Sequence, residues 1–216
     1  MVILYKYLSL SENRINWLID IIEKDHIFLS DGKEFNDPFD VSISEKDEKI
    51  KKQNKFKILC LTSSYRNRLM WAHYADSHKG VCLTLELDEE LVYPVFYTNK
   101  RIYNNTNLNM LVRHGNLKRS VIRKLSKEYD MEPRKKLGFV KDSTWTYENE
   151  YRVVCYGKER DILENRDYLK VHVRNVYLGA CISEHDEKII RNICKKKKVS
   201  VKKISFNKDS YSIKVN

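Results

Sequence analysis

Glycine and proline are scarce in this sequence, which has 6 and 3 of them among 216 residues. The scarcity excludes a collagen-like repeat and a proline-rich linker. The five cysteines are scattered and form no Cys-x-x-Cys pair, so neither a zinc knuckle nor a disulfide framework is supported. No apolar run approaches the roughly 20 residues that a bilayer-spanning helix needs, so we expect no membrane-spanning segment.

The amino-terminal segment lacks the features of a secretory signal. Such a signal joins a basic start to an apolar stretch and a small-residue cleavage site. Here Lys6 interrupts the apolar stretch and no cleavage site follows. We therefore expect the protein to be cytoplasmic.

The overall composition is typical of a soluble globular protein. Hydrophobic residues make up 42% of the sequence and charged residues 33%, which separates it from disordered proteins. A chain of this length suits one compact domain with a full hydrophobic core, or at most two small ones. We predict one domain, residues 1–216.

Positive charge exceeds negative charge, since 41 Lys and Arg against 30 Asp and Glu give a net charge of +11. The excess favours attraction to a polyanion such as DNA or RNA. The charge is densest in a lysine-rich stretch formed by Lys195, Lys196, Lys197, Lys198, Lys202 and Lys203. The stretch is equally typical of a solvated helix end, where cations complement the helix dipole, and the overall excess is also typical of the codon bias of an AT-rich genome.

Apolar periodicity predicts strands and helices that intermix without strict β-α-β alternation. The predicted strands are residues 2–8, 26–30, 56–62, 80–87, 91–97, 151–156, 168–173 and 176–178, with a closing hairpin from 199–206 and 211–215. The predicted helices are residues 15–24, 69–75, 105–128 and 184–194. This order predicts a single α+β domain with a mainly antiparallel mixed sheet flanked by helices.

The first segment that could carry chemistry is FNDPFD, residues 35–40. Pro38 biases Asp37 away from helix and Asn36 can bond its own backbone, so a rigid polar turn is predicted. The turn would supply an amide and two carboxylates near the end of a strand. The alternative is a purely structural Asx turn.

The second segment is LTSSYRNRLMWAHYADSHKG, residues 61–80. An apolar strand delivers Thr62, Ser63 and Ser64 to its end, and Arg66 and Arg68 follow. Short hydroxyl side chains beside an arginine suit the binding of phosphate or ribose. Trp71 and Tyr74 come next on a predicted helix, where the alternative to ligand contact is core packing.

The two histidines of this segment do not predict a metal site. His73 and His78 are five residues apart, which places them about 140° apart around a helix. They do not share a face, and we expect no metal.

The third segment is KDSTWTYENEYRVV, residues 141–154. Glu148 and Glu150 stand two residues apart, so on a strand both would project from the same face. Two like charges on a face that enters the core disfavour each other, and functional sites are the usual place for such a pair. Arg152 would extend the same row and could pair with Glu150. The alternative is an exposed edge strand that carries a Glu–Arg pair.

Four motifs stand together in this chain: an opening YKY strand, an FNDPFD turn, an LMWAHYAD..KG segment and a late W.YE.EYR. They occupy Tyr5–Tyr7, Phe35–Asp40, Leu69–Gly80 and Trp145–Arg152. In these motifs the chain resembles an uncharacterised bacterial family, a domain of unknown function. The resemblance covers most of residues 1–156 and implies the fold of that family.

The order of elements is also distantly similar to that of the ADP-ribosyltransferases, which include toxin enzymes that modify nucleic acid. Those enzymes have a first strand with a basic or His residue, a middle strand that ends in hydroxyls and a late Glu-x-Glu whose second Glu is catalytic. Carried over to this chain, the positions are Lys6 and Tyr7, Ser63 and Ser64, and Glu148 and Glu150. Tyr5-Lys6-Tyr7 stands where an Arg or a His is expected on the first strand.

This second resemblance implies NAD as the substrate, no metal, and two catalytic carboxylates. Glu150 would lie beneath the ribose, stabilise its developing positive charge and bond its 2′-hydroxyl. Glu148 would orient or deprotonate the acceptor. The acceptor would be a macromolecule such as DNA or RNA, drawn by the excess positive charge.

The same resemblance implies a set of residues that contact NAD. Tyr7 or Tyr74 would stack on the nicotinamide, and Arg66 or Arg68 would pair with the pyrophosphate. The residues expected to bind NAD are Tyr5, Lys6, Tyr7, Asn36, Asp37, Ser63, Ser64, Arg66, Trp71 and Tyr74.

Two further functions are compatible with the sequence. The first is a non-catalytic nucleic-acid or nucleotide-binding module that uses the lysine-rich stretch. The second is a metal-dependent nuclease that uses Asp37, Asp40 and Glu86, although no carboxylate-x-Lys signature accompanies them. The sequence carries no information on the acceptor or the oligomeric state.

Overall fold

The computed structural model of the chain describes residues 1–11, 14–32, 35–37, 39–40, 56–99, 138–156 and 168–216. The predicted helix at 105–128 lies outside these residues. Within them, no helix combines the length and the apolar character that crossing a bilayer requires.

The described residues form thirteen strands and three α-helices. The strands are β1 (Val2–Leu8), β2 (His26–Phe28), β3 (Ser30–Asp31), β4 (Phe56–Thr62), β5 (Val81–Leu87), β6 (Tyr93–Pro94), β7 (Phe96–Thr98), β8 (Val140–Asp142), β9 (Glu150–Tyr156), β10 (Tyr168–Lys170), β11 (His172–Leu178), β12 (Ser200–Phe206) and β13 (Ile213–Val215). The helices are α1 (Ile15–Lys24), α2 (Arg68–Tyr74) and α3 (Glu184–Lys197).

One large sheet organises these elements. Its strands follow the order β13-β12-β11-β5-β1-β4-β9-β6, and β3 also pairs with β4. All of its strand pairs are antiparallel except β11 with β12. Two small sheets join β2 to β10 and β7 to β8. The predicted α+β class with a mainly antiparallel mixed sheet is confirmed.

Helices α1 and α3 cover one face of the large sheet. Leu18, Ile21 and Ile22 on α1 are buried at helical spacing, as are Ile190 and Ile193 on α3. They pack against alternate residues of the central strands, because successive strand residues point to opposite faces. The two helices and this face enclose the main hydrophobic core.

Helix α2 covers the other face. The Asn67 side chain caps the helix by accepting a hydrogen bond from the backbone N–H of Leu69 at 3.0 Å. Trp71 is wholly buried and meets the ring of Tyr7 edge-on, with centroids 5.1 Å apart. This second cluster places α2 above the face that carries Tyr5 and Tyr7.

Strands β1 and β4 share one register pair, Tyr5 with Thr62. On the far side of β4, Thr62 pairs with Glu150, and on the far side of β1, Tyr5 pairs with Thr84. Residues that pair directly across strands project from the same face. Tyr5, Thr62 and Glu150 therefore form one row on the face that α2 covers.

Three predicted strands are broken in the structure, and one of them, residues 168–173, divides between β10 and β11, which belong to different sheets. Residues 26–30 divide into β2 and β3, which belong to different sheets. The predicted strand at 91–97 is wrong in its first part, where a 3₁₀ helix spans Glu89–Leu91. Pro94 lies at the break between β6 and β7, because a proline has no N–H to continue a ladder. The predicted closing hairpin is confirmed by the antiparallel pairing of β12 with β13.

The turn after α2 is unusually tight. Asp76, Ser77 and His78 have positive φ values of 48°, 51° and 69°, a conformation that disfavours residues with a Cβ. Gly80 follows, and a Cβ added there would lie 2.2 Å from the backbone oxygen of Leu8. The turn therefore depends on a close approach between Gly80 and β1.

We expect Gly80→Ala to lower the free energy of unfolding by about 1–3 kcal/mol, because backbone atoms on both sides would have to shift. Urea denaturation measures this loss. Gly138→Ala is the matched control, since a Cβ there meets side-chain atoms of Val154 first, at 2.9 Å, and should cost less. Equal losses of unfolding free energy in the two variants would contradict the conclusion that the turn depends on the close approach of Gly80 to β1.

Candidate active site

The two glutamates of the Glu-x-Glu sequence do not lie on one strand. Glu148 ends a 3₁₀ helix, Ser143–Glu148, whose amino end is capped by the side chain of Asp142. Asn149 then adopts a left-handed conformation with φ of 44°, and Glu150 starts β9. The prediction that strand alternation puts both carboxylates on one face is wrong, because the chain turns between them.

Arg152 is the centre of the site and is 0% exposed. Its Nε donates to Glu150 Oε1 at 2.8 Å and its Nη2 to Glu150 Oε2 at 3.0 Å. The same guanidinium donates two bonds to the Asp40 carboxylate, at 2.9 and 2.6 Å, and one to the Gly138 carbonyl at 2.8 Å. The predicted pairing of Arg152 with Glu150 is confirmed, and the alternative of an exposed edge strand does not hold.

Lys141 is the second cation of the site. Its ammonium group donates to Glu148 Oε2 at 2.5 Å and to Glu150 Oε2 at 3.1 Å, and it lies 3.6 Å from Asp40 Oδ2. We call Asp40, Lys141, Glu148, Glu150 and Arg152 the ionic network. Three carboxylates against two cations leave one net negative charge when all five groups are ionised.

The environment drives the pKa values of the two glutamates in opposite directions. Burial alone would raise the pKa of Glu150, but the charges of Arg152 and Lys141 outweigh it and bring the pKa to about 2. Burial raises the pKa of Glu148 as well, and there Lys141 and the Tyr74 hydroxyl only partly offset it. Glu150 is therefore ionised at neutral pH, while Glu148 is the better proton acceptor.

The ionic network reaches the surface through Tyr74. The Tyr74 hydroxyl donates to Glu148 Oε1 at 2.5 Å and accepts from the Asn36 amide at 3.2 Å. Glu148 is 2% exposed, whereas Tyr74 is half-buried and Asn36 is exposed. Burial and the nearby Glu148 charge raise the pKa of Tyr74, so the hydroxyl keeps its proton and stays a donor.

The end of β4 is bonded to the residues that precede Glu150. Thr62 Oγ1 donates to the Glu148 carbonyl at 2.6 Å, and the Asn67 amide donates to the Tyr147 carbonyl. The backbone N–H of Glu150 donates to the Tyr97 hydroxyl at 2.9 Å. These bonds hold the 3₁₀ helix against the end of β4, the strand end that was predicted to carry hydroxyl side chains.

Several residues that were predicted to bind NAD lie outside the ionic network in the described part of the chain. The Tyr7 hydroxyl donates to the Ser64 carbonyl at 3.0 Å, and its ring lies in the core. Trp71 also belongs to the core, where its Nε1 donates to the Tyr65 carbonyl at 2.7 Å. Lys6 follows Tyr5 on β1 and so projects from the opposite face of the sheet. Ser63 is exposed at the end of β4.

Two further residues of the predicted NAD set have local partners. Arg66 is exposed and its Nε donates to the Tyr65 hydroxyl at 3.0 Å. Asp37 Oδ1 accepts from the Phe39 N–H at 2.9 Å, so an Asx turn forms at Asp37, and the backbone bond predicted for Asn36 is replaced by its bond to Tyr74. Both are therefore placed by neighbours in the sequence.

The structure does not unite the three carboxylates of the nuclease hypothesis. Asp40 is bonded to Arg152, whereas Glu86 lies on β5, three strands away from β9 in the sheet, and pairs with Arg174 at 2.6 Å. In the described part of the chain, no three His, Cys, Asp or Glu side chains are placed to hold a metal ion. The arrangement gives the nuclease hypothesis no support.

Lys141 was not among the residues predicted for the site, Thr62 was named only as one of three hydroxyl residues at a strand end, and Asp40 was given a different role. Asp40 and Arg152 are 112 residues apart, a separation at which no local spacing rule applies. Lys141 reaches the glutamates only because β8 runs directly into the 3₁₀ helix. Within the ionic network, only the pair of Glu150 and Arg152 had a signal in the sequence, which was an arginine two residues after a glutamate on a predicted strand.

We expect Glu150→Gln to lower the free energy of unfolding at neutral pH by about 3 kcal/mol, because it leaves Arg152 and Lys141 undercompensated. The pKa of Glu150 falls from an ordinary 4.5 to about 2 on folding, so its contribution is complete above pH 4.5 and is lost as pH falls toward 2. Urea denaturation at several pH values should show a smaller acid-dependent loss in the variant.

Glu86→Gln is the control for this measurement, since Glu86 pairs with the exposed Arg174 at the surface. It should cost at most about 1 kcal/mol and keep the acid dependence of the unmodified protein. If Glu150→Gln and the unmodified chain had the same pH profile, the acid-dependent loss of stability could not be assigned to Glu150.

Comparison with known proteins places part of this site in a family. A comparison with curated proteins and one with solved structures found no match. Residues 70–153 match the family described as "Protein of unknown function (DUF2971)". This segment contains Tyr74 and four members of the ionic network, all but Asp40. The predicted resemblance to an uncharacterised family is confirmed over residues 70–153, which hold most of the LMWAHYAD..KG segment and the W.YE.EYR motif, whereas the YKY and FNDPFD motifs lie outside the match.

Proposed function

We propose that the protein transfers ADP-ribose from NAD to a macromolecular acceptor, with Glu150 and Glu148 as its two catalytic carboxylates. The observation that carries the proposal is the row Tyr5, Thr62 and Glu150 across three adjacent strands. The row unites the first strand, the hydroxyl-bearing strand end and the late glutamate, which are the three parts that the resemblance to ADP-ribosyltransferases assigns to NAD binding.

The three residues of the row are close together. Neighbouring strands are about 4.8 Å apart, so the backbones of Tyr5 and Glu150 are separated by roughly 10 Å. Thr62 lies between the two and is bonded to the carbonyl of Glu148, so the same strand end positions both carboxylates.

Glu150 suits the role of a fixed negative charge. When the bond between ribose C1′ and nicotinamide N1 breaks, nicotinamide leaves with the electron pair and positive charge develops on the sugar. A carboxylate with a pKa of about 2 is always ionised, and a charge held rigidly by Arg152 needs no reorganisation during the reaction.

Both oxygens of Glu150 are held by cations, since Arg152 and Lys141 donate three strong bonds to them. In the proposed reaction the ribose 2′-hydroxyl would donate to the same carboxylate.

Glu148 suits the role of the base. Its raised pKa lets it accept the proton that the acceptor loses as its nucleophilic atom bonds to C1′. Two carboxylates with pKa values driven apart by their surroundings are typical of a site with one fixed anion and one proton acceptor. Tyr74, which bonds Glu148 and is half-buried, would orient that carboxylate toward the acceptor.

We expect the purified protein to release nicotinamide from NAD and to move a label from the adenylate part of NAD onto macromolecules of a cell extract. Glu150→Gln should abolish both, because the sugar cation loses its stabilising charge. Glu148→Gln should lose label transfer by about a hundredfold or more while keeping nicotinamide release, because water replaces the acceptor. Chromatography of nicotinamide and of labelled products measures the two rates.

Glu86→Gln is the matched control, since it neutralises a carboxylate on the same sheet outside the ionic network and should leave both rates unchanged. Circular dichroism at the assay temperature shows whether Glu150→Gln is folded. A folded Glu150→Gln with unchanged rates, or no nicotinamide release by the unmodified protein, would refute the proposed function.

A further inference from the structure

A partly exposed surface of aromatic rings and arginines borders the ionic network: its two arginines and Tyr211 are exposed, whereas its other rings are half-buried, and one of them, Tyr65, is stacked on Tyr177 at 4.0 Å. We call this surface the aromatic–arginine surface, and it consists of Tyr65, Arg66, Arg68, Trp145, Tyr147 and Tyr211. Tyr211 is 87% exposed, and the Arg68 guanidinium lies 4.9 Å from its ring centroid. The Arg66 guanidinium lies 5.3 Å from the ring of Tyr65.

The surface is continuous with the candidate active site. Asn67, between the two arginines in sequence, bonds the carbonyl of Tyr147, the residue before Glu148. The rings of Trp145 and Tyr147 are 6.0 Å apart and inclined by 37°, and the Lys141 ammonium lies 4.9 Å from the Trp145 ring centroid. A ligand on these rings would lie beside the acidic residues.

The two arginines of the surface have no carboxylate partner among the described residues. Arg152, Arg174 and Arg191 each pair with a glutamate. Arg66 and Arg68 instead lie against tyrosine rings, which leaves their charge uncompensated. In a chain with a net charge of +11, this pair is suited to binding an anion.

The aromatic rings indicate which kind of anion suits this surface. Exposed tyrosine and tryptophan faces stack on nucleic-acid bases, and neighbouring arginines bind the phosphates that link them. Bases are free to stack in this way only in a single strand. A polyanion without bases would use the arginines and leave the rings without a partner.

The lysine-rich stretch is less suited to this role. Lys195, Lys196 and Lys197 form the last turn of α3, where positive charge complements the helix dipole. Lys197 donates to the carbonyl of Glu23 at 2.8 Å. The helix packs on the face of the sheet opposite to α2, away from the candidate active site.

We propose that the aromatic–arginine surface binds single-stranded nucleic acid, with bases stacked on its rings and phosphates against Arg66 and Arg68. That the bound strand is the acceptor of the reaction rests on the proposed function, whereas the binding itself does not. The strand would pass the ring of Tyr147 and present its reactive group to Glu148.

Fluorescence anisotropy of a labelled, mixed-sequence single-stranded DNA with the full chain, in the absence of NAD, tests the proposal. We expect the double variant Arg68→Ala/Tyr211→Ala to bind at least about tenfold more weakly than the unmodified chain, because one phosphate contact and one stacking partner are lost. The slope of log affinity against log salt should fall by about 0.7.

The matched control is Arg14→Ala/Trp17→Ala. It also removes one guanidinium and one exposed ring, since Trp17 is 66% exposed and lies 5.7 Å from the Arg14 guanidinium, but on the side of the sheet that carries α1. Its affinity should stay within about twofold of the unmodified chain, because exposed charges far from a ligand contribute little. Equal weakening in both double variants would show general charge attraction and overturn the proposal.

Competitors identify the ligand class. RNA of the same sequence should bind about as well as DNA, because stacking and phosphate contacts do not involve the 2′-hydroxyl. Duplex DNA and dextran sulfate should compete at least about tenfold less well, because neither offers free base faces. Equal competition by either one, or a strong preference for one sugar, would contradict the proposed contacts.

The binding proposal and the proposed function fail in different experiments. Glu150→Gln should bind single-stranded DNA like the unmodified chain even though it releases no nicotinamide. Nicotinamide release without DNA binding would remove the surface proposal alone, and DNA binding without nicotinamide release would remove the enzymatic proposal alone.

Discussion

The guanidinium of Arg152 joins three parts of the chain that are far apart in sequence. It bonds Glu150 on its own strand, Asp40 from the FNDPFD turn and the carbonyl of Gly138. An arginine with no exposed surface is strongly destabilising unless its donors are bonded and its charge is balanced. The two carboxylates provide that balance, and Arg152 therefore ties the turn and the backbone at Gly138 to β9.

The same arrangement explains why one carboxylate is surrounded by cations and the other is not. Glu150 lies between Arg152 and Lys141, whereas Glu148 shares only Lys141 and has the neutral hydroxyl of Tyr74 on its other side. The difference in pKa between them follows from this asymmetry. It also separates the roles that the proposed chemistry requires, since a fixed anion must stay ionised and a base must be able to take a proton.

Local patterns of the sequence predicted the elements well. The bounds of β1, α1 and β4 agree with their periodicity, and α3 differs only by one further turn of lysines. The site was predicted less well, because its geometry depends on contacts over long separations in sequence. The pair Glu150 and Arg152 could be predicted from strand alternation, but Asp40 and Lys141 could not. The order of strands across the sheet, which puts Thr62 between Tyr5 and Glu150, likewise has no signal in the local sequence.

Asn149 has a consequence for how a Glu-x-Glu sequence is interpreted. Its left-handed backbone is a conformation that asparagine, aspartate and glycine tolerate and that β-branched residues strongly resist. A valine or isoleucine between two acids would keep the chain extended and both acids on one strand, whereas an asparagine lets the chain turn, so that the two acids approach the same lysine from different elements. The identity of the middle residue therefore carries information on whether two such carboxylates project from one strand or meet across a turn.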